Sequence, residues 1–240
     1  MVSIFGDNMR PLTLFFITLF YLINNAIAQQ IPVYIYQDKP PFIINSKKQI
    51  GLAYDFVSIL NEYSKTKYEL QLLPRTRINK IKSKIMLFTN EVWLNDENKE
   101  SFLYSSPIAE DQNLYISNKK RPIDIKKDRN LKIAVIAANV YVVFKESSHQ
   151  RIDVLKEEQV FDMVDRGRVD VGVISLSTLN YLLKKNKLPK DHFFIDSNSQ
   201  LLYKRHLVYS KDLKKNYLEI EKILQNQNFK ESLNQIFKKY

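Results

Sequence analysis

Apolar and polar positions along this chain alternate between two periods. Ile31 to Tyr36 (IPVYIY) is a continuous run of strand length. Leu52, Phe56, Ile59, Leu60 and Tyr63 then recur at helical spacing, and Tyr68 to Leu73 is strand-like again. Strand, helix, strand predicts a parallel crossover unit. Pro74 opens a further predicted helix, since proline is tolerated in a first turn, with Ile78, Ile81 and Ile85 on one face until the strand-like IMLFT. A second cycle starts at Leu131: LKIAVIA as a strand, a helix after Asn139, a helix over EEQVFDMVDRG, the strand VDVGVIS, and a helix from Ser177 to Lys185. Two helical segments, YLEIEKILQNQ and FKESLNQIFKK, close the chain. Between the cycles, Phe102 to Ser117 (FLYSSPIAEDQNLYIS) reads as an extended connector, with a return near Leu207 to Ser210. With four glycines and no Gly/Ser-rich tract, two α/β lobes joined by strand-like crossings fit better than two domains on a floppy tether.

The N-terminus changes this picture. Arg10 precedes an apolar run from Leu12 to Ile23, and Ala26-Ile27-Ala28 forms a small-x-small site. Residues 1–28 therefore read as a secretory signal peptide; the run is shorter than the about 20 residues a membrane span needs. Of the 37 Lys+Arg and 26 Asp+Glu residues, this segment holds one of each sign, so the net charge of +11 belongs to the mature chain. The basic residues are scattered through predicted helices and loops with no stripe of exposed aromatics among them, which argues for solvated faces and against a nucleic-acid partner. Nothing calls for a metal or a cofactor. No G-x-S-x-G, H-E-x-x-H or P-loop occurs, there is no cysteine, and the three histidines lie far apart, so the chain does not read as an enzyme.

Candidate binding chemistry clusters at predicted strand ends. The stretch YQDKPPFIIN stops a core strand with Pro40 and Pro41, which remove two backbone donors and fix two φ angles. Tyr36, Asp38 and Phe42 can then form a stiff wall beside a ligand, or Phe42 can simply enter the core. Arg75 and Arg77 (PRTR) fall in a predicted first turn, where the helix dipole disfavours a cation; either a carboxylate or phosphate held by their planar forks offsets that, or both are simply solvated. Trp93, the only tryptophan, is either a stacking surface or core filler, and Asn95 and Asp96 beside it either bind or turn the chain. Asn139, with Tyr141 close by, can cap a helix whose free N–H groups take an anion. Ser175 ends the strand VDVGVIS, and Ser177 reads as a helix cap. Arg205 and His206 start the return strand beside the hinge, with His206 either a pH-sensitive contact or, the favoured reading, a buried structural residue.

The order and spacing of these elements resemble the periplasmic solute-binding proteins of family 3, the type that serves polar amino acid uptake. The resemblance rests on the strand followed by PPF, on Gly51-x-x-x-Asp55, on YSSPI and on GRVDVGV, and covers about Ile31 to Tyr240. PRTR, VWLND and YKRHLVYS add a likeness to one branch of that family. It implies an α/β, two-lobe periplasmic-binding-protein-like fold, each lobe a mainly parallel sheet flanked by helices. The expected division is signal peptide 1–28, lobe 1 at 29–113, lobe 2 at 114–206, and a return strand with C-terminal helices packing on lobe 1 at 207–240. It further implies a periplasmic, monomeric protein that captures a small polar molecule, anionic or zwitterionic, between the lobes for an inner-membrane permease. A ligand-sensing or partner-binding role without transport is the alternative. Family members usually hold the ligand carboxylate with an arginine six residues before the connector aromatic, and the ammonium with an aspartate after the second-lobe strand; here those positions are Asn98 and Ser175. An ordinary α-amino acid in the usual pose is therefore not expected unless Lys99, Arg75 or Arg77 substitutes.

Overall fold

The computed structural model describes residues 30–137, 144, 148–199 and 202–240. The signal-peptide reading, and the roles expected of Asn139 and Tyr141, lie outside the described residues.

The first crossover forms as the sequence pattern expects: β1 (Ile31–Ile35), α1 (Leu52–Tyr63) and β2 (Tyr68–Leu72), with β1 and β2 parallel from Ile31 beside Tyr68 to Ile35 beside Leu72. Gly51 starts α1 at φ 147°, and a Cβ there would stand 2.4 Å from the carbonyl oxygen of Phe42. Only glycine lets the helix begin so close to the proline loop. The helix predicted from Pro74 is instead a single turn, α2 (Arg75–Ile78); Ile85, counted on its apolar face, is the first residue of β3 (Ile85–Thr89). The 3.6-residue spacing of Ile78, Ile81 and Ile85 thus joined a helical turn, a loop and a strand. A second short helix, α3 (Glu91–Leu94), follows, begun by Asn90, whose side-chain oxygen accepts from the Trp93 N–H at 2.9 Å.

β4 (Phe102–Tyr104) and β5 (Ala109–Asn118) lead into the second lobe. There β6 (Lys132–Ile136) lies between β7 (Gln150–Val154) and, after α4 (Glu157–Asp165), β8 (Val171–Ser175), parallel to both. Next come α5 (Leu176–Lys185), β9 (Phe193–Ile195) and β10 (Leu202–Ser210), then α6 (Lys214–Gln225) and α7 (Gln227–Lys239). The strand order is β2-β1-β3-β10-β5-β8-β6-β7, so each lobe has a central parallel strand, β1 or β6, flanked by two others. β10 belongs to both lobes: Leu202–Arg205 pair antiparallel with β5, while His206–Tyr209 pair with β3 and Val208–Ser210 with β4. Beyond Leu202, β5 turns to β8 instead.

Two apolar layers cover the sheet in each lobe. In the first, Val33, Ile35, Phe56, Leu60 and Phe88 pack with Leu224 and Phe229 of the last helices, and Tyr34, Ile78, Met86 and Val208 fill the other face. In the second, Ile116, Val160, Val164 and Leu179 lie on one side and Tyr115, Ile133, Val135 and Val173 on the other. Among the described residues no helix is long and apolar enough to cross a membrane.

Candidate functional site in the interlobe cleft

In open α/β lobes, ligands sit beyond the carboxyl ends of the parallel strands. Here the loop after β1 meets the end of β8 and the starts of α4 and α5. The meeting is polar and direct. Lys39 Nζ, on the loop after β1, donates to Glu157 Oε1 at 2.5 Å and to Ser175 Oγ at 2.9 Å, and Thr178 Oγ1 donates to the carbonyl of Pro40 at 2.6 Å.

Glu157 is the first residue of α4, a turn closed by Gln159, whose side-chain oxygen accepts from the N–H groups of Leu155 and Lys156. Its second carboxylate oxygen accepts from the Ser175 hydroxyl at 2.6 Å and the Ser175 N–H at 3.1 Å. Burial opposes its ionisation, but the Lys39 ammonium and the Ser175 and Thr178 hydroxyls outweigh that and hold its pKa below the usual value.

A second buried ion pair lies at the hinge. Arg205 Nη2 donates to Asp111 Oδ2 at 2.6 Å, with the two side chains 0% and 1% exposed. The guanidinium carbon stands 4.5 Å from the ring centre of Phe42, 4.9 Å from that of Trp93 and 5.2 Å from that of Tyr203, a three-sided aromatic cage. Asp111 also accepts from the N–H and hydroxyl of Ser177 at 3.1 and 2.7 Å, so the first turn of α5 is satisfied from another strand. Ser177 is thus not a cap; Ser175 holds that position, without a capping bond from its own side chain. Desolvation would raise the pKa of Asp111, yet Arg205, Lys39 and the Ser177 hydroxyl keep it lowered.

Phe88 completes the cage floor. Its backbone is left-handed, φ 55°, which a bulky residue adopts only under constraint from its surroundings. Here its ring packs between Phe42 and Phe56, at 4.9 and 5.7 Å, and its carbonyl accepts from Gln37 Nε2 at 2.9 Å and Arg205 Nη1 at 3.0 Å.

The structure thus brings together Phe42, Trp93, Ser175 and Arg205 of the sequence-derived candidates. Phe42 is buried in the core of lobe 1, as one of its two readings expects, and its ring also lies under Arg205. Tyr36 is half-buried, its hydroxyl 3.4 Å from Thr89 Oγ1, and Arg75 lies over its ring at 5.7 Å. Asp38, Arg75, Arg77 and Asn95 are exposed, Asn95 as the left-handed end of α3. A one-turn α2 has almost no dipole to disfavour Arg75 or Arg77, which removes the reason given for an offsetting anion. Asp96 accepts from the N–H groups of Glu100 and Ser101 and from the Tyr104 hydroxyl, a turn-forming role. His206 is buried with Nδ1 2.6 Å from the Ser105 carbonyl, and since a carbonyl only accepts, Nδ1 carries the proton.

Lys39, Asp111, Glu157, Thr178 and Tyr203 were missed. Lys39 alone left a trace, a cation inserted between an acid and two prolines. On the opposite side of β10 from Arg205, where Lys204 and His206 alternate with it, Lys99, Tyr104 and Pro107 help line a cavity of about 420 Å³. It contains no residue of the interlobe cluster. Among the described residues no group of three or more His, Asp or Glu is placed to hold a metal.

By sequence alone the chain matches no family model and no curated protein. In three dimensions it is similar to the arginine-, lysine-, histidine-binding protein ArtJ from Geobacillus stearothermophilus (TM-score 0.65, 16% identity, 88% of this chain and 95% of that one). It is similar also to the GluR0 ligand-binding core from Nostoc punctiforme in complex with L-glutamate (TM-score 0.68, 14% identity, 88% and 98%). A third neighbour is an ABC uptake transporter substrate-binding protein from Streptococcus pneumoniae with bound histidine (TM-score 0.66, 13% identity, 88% and 92%). The fold of this chain is accordingly the two-lobe α/β fold of the family 3 periplasmic solute-binding proteins.

Proposed function

We propose that this chain is an exported solute-binding protein, not an enzyme, that takes up a small polar ligand, anionic or zwitterionic, in the cleft between its lobes and delivers it to an inner-membrane permease. The observation that carries this reading is the polar closure of the cleft: Lys39 and Pro40 from one lobe bonded to Glu157, Ser175 and Thr178 of the other. Hydrogen bonds of this kind can be broken and remade as β5 and β10 flex, and a solute that prefers one arrangement shifts the population. The three neighbours, which bind amino acids, support it.

Mass spectrometry of solute released from protein purified out of its native periplasm tests this directly, followed by calorimetry with the identified compound. A bound small carboxylate or phosphate is the expected result; reproducible recovery of an inorganic cation or an apolar molecule overturns it. Export is tested by N-terminal sequencing, which should give Gln29 as the first residue of the mature chain.

A further inference from the structure

The acceptors at the end of β8 hold a primary ammonium, and that ammonium is part of the chain. Glu157 Oε1 and Ser175 Oγ both receive Lys39 Nζ, and the Lys39 and Glu157 side chains are 17% and 9% exposed. The remaining polar atoms of the set are turned inward: Ser175 donates to Glu157 Oε2, and Thr178 donates to Pro40. A carboxylate this buried must be paired or hydrogen-bonded, and here the pairing cation is carried by the opposite lobe, 118 residues away in sequence.

We infer that Lys39 is a built-in occupant of an ammonium-binding position, so that it latches the lobes together and decides ligand class: the solute carries an anionic group and no primary ammonium of its own. This rests on the proposed solute-binding role and narrows it. A solute bearing an ammonium would have to displace a cation tethered a few ångströms away, whose local concentration free solute does not match. A solute without one meets no such competition. Arg205 does not share this function, since its guanidinium is enclosed by three rings and bonded to its own neighbour in the hinge.

The test needs no knowledge of the natural solute. Lys39→Ala removes the side chain beyond Cβ, the equivalent of propylammonium, and should free the acceptors, so the protein, refolded from denaturant to strip bound solute, should show a larger radius of gyration than wild type in small-angle scattering. Adding n-propylammonium chloride should restore compactness and raise the melting temperature of the variant. It should act at a concentration about tenfold lower than tetramethylammonium, which has the same charge but donates nothing, a ratio worth one charge-assisted hydrogen bond. Wild type should respond to neither salt. An unchanged radius in Lys39→Ala, or equal potency of the two salts, overturns the inference. Should Lys39→Ala fail to fold, Lys39→Met with Glu157→Gln removes both charges together, and an unchanged radius there overturns it equally. If the latch behaves as expected while no anionic solute is ever recovered, the proposed uptake role fails and the latch stands.

Discussion

Arg205 and Asp111 concentrate the energetics of the cleft in two side chains. Breaking a buried pair from one side strands a charge, whereas removing both can be close to neutral. Arg205→Met should therefore destabilise the fold by about 3–5 kcal/mol, and the double variant with Asp111→Asn should recover most of that loss in urea titrations. Trp93 behaves differently. It is half-buried, with one face on Arg205 and an edge toward Tyr203 at 5.2 Å, so Trp93→Ala should cost about 0.5–2 kcal/mol rather than the about 3–5 kcal/mol of a core tryptophan. Equilibrium unfolding separates the two ranges. Gly51→Ala meets both a forbidden φ and the Phe42 carbonyl; the backbone conformation alone should cost about 1–3 kcal/mol, visible as a lowered melting temperature with unchanged circular dichroism.

At the level of elements, what the sequence showed depended on burial. β1, β3, β6 and β8 carry runs of buried residues, and α1, α4 and α5 present one apolar face, so periodicity found all seven. β7 escaped because it is an edge strand reading QRIDV with no buried position, and β9 because it is only three residues long. Candidate chemistry was legible where one residue type stood out, as with Trp93 or Ser175. Lys39 and Glu157 were not, because their pairing exists only once two lobes meet. The last helix shows the same dependence on tertiary partners: Phe229 of α7 is fully buried, edge-on to Phe56 at 6.1 Å and to Tyr63 at 5.4 Å. Phe229→Ala should cost about 3–5 kcal/mol, and hydrogen exchange should show the loss concentrated in α1 and β1 rather than in β6 and β8.

For the whole molecule, the two cleft carboxylates set a pH dependence. Asp111 and Glu157 both have folded-state pKa values below their ordinary ones. Their ionised forms therefore favour the folded state above the unfolded carboxylate range of about 3.9–4.3, and that contribution is lost as pH falls through the lower folded values. Melting temperature should hold from neutral pH down to about pH 5 and then fall, and the fall should be shallower when Lys39→Met and Glu157→Gln are combined. A radius of gyration that grows over the same interval would tie the lost stability to opening of the cleft.

That the second half of β10 closes the first lobe also has a consequence in time. The strands β5 to β9 and the helices α4 and α5 of the second lobe all lie between residues 109 and 195. The first lobe, by contrast, begins at Ile31 and waits for His206 to Ser210 to seat beside β3 and β4. A polypeptide growing from its N-terminus thus makes the start of one lobe, then every residue of the other's apolar core, and only afterwards supplies the strand that closes the first. Chains halted at residue 199 should carry a protease-resistant second half and a cleavable first half, and release of the remaining residues should convert the first half to the resistant form.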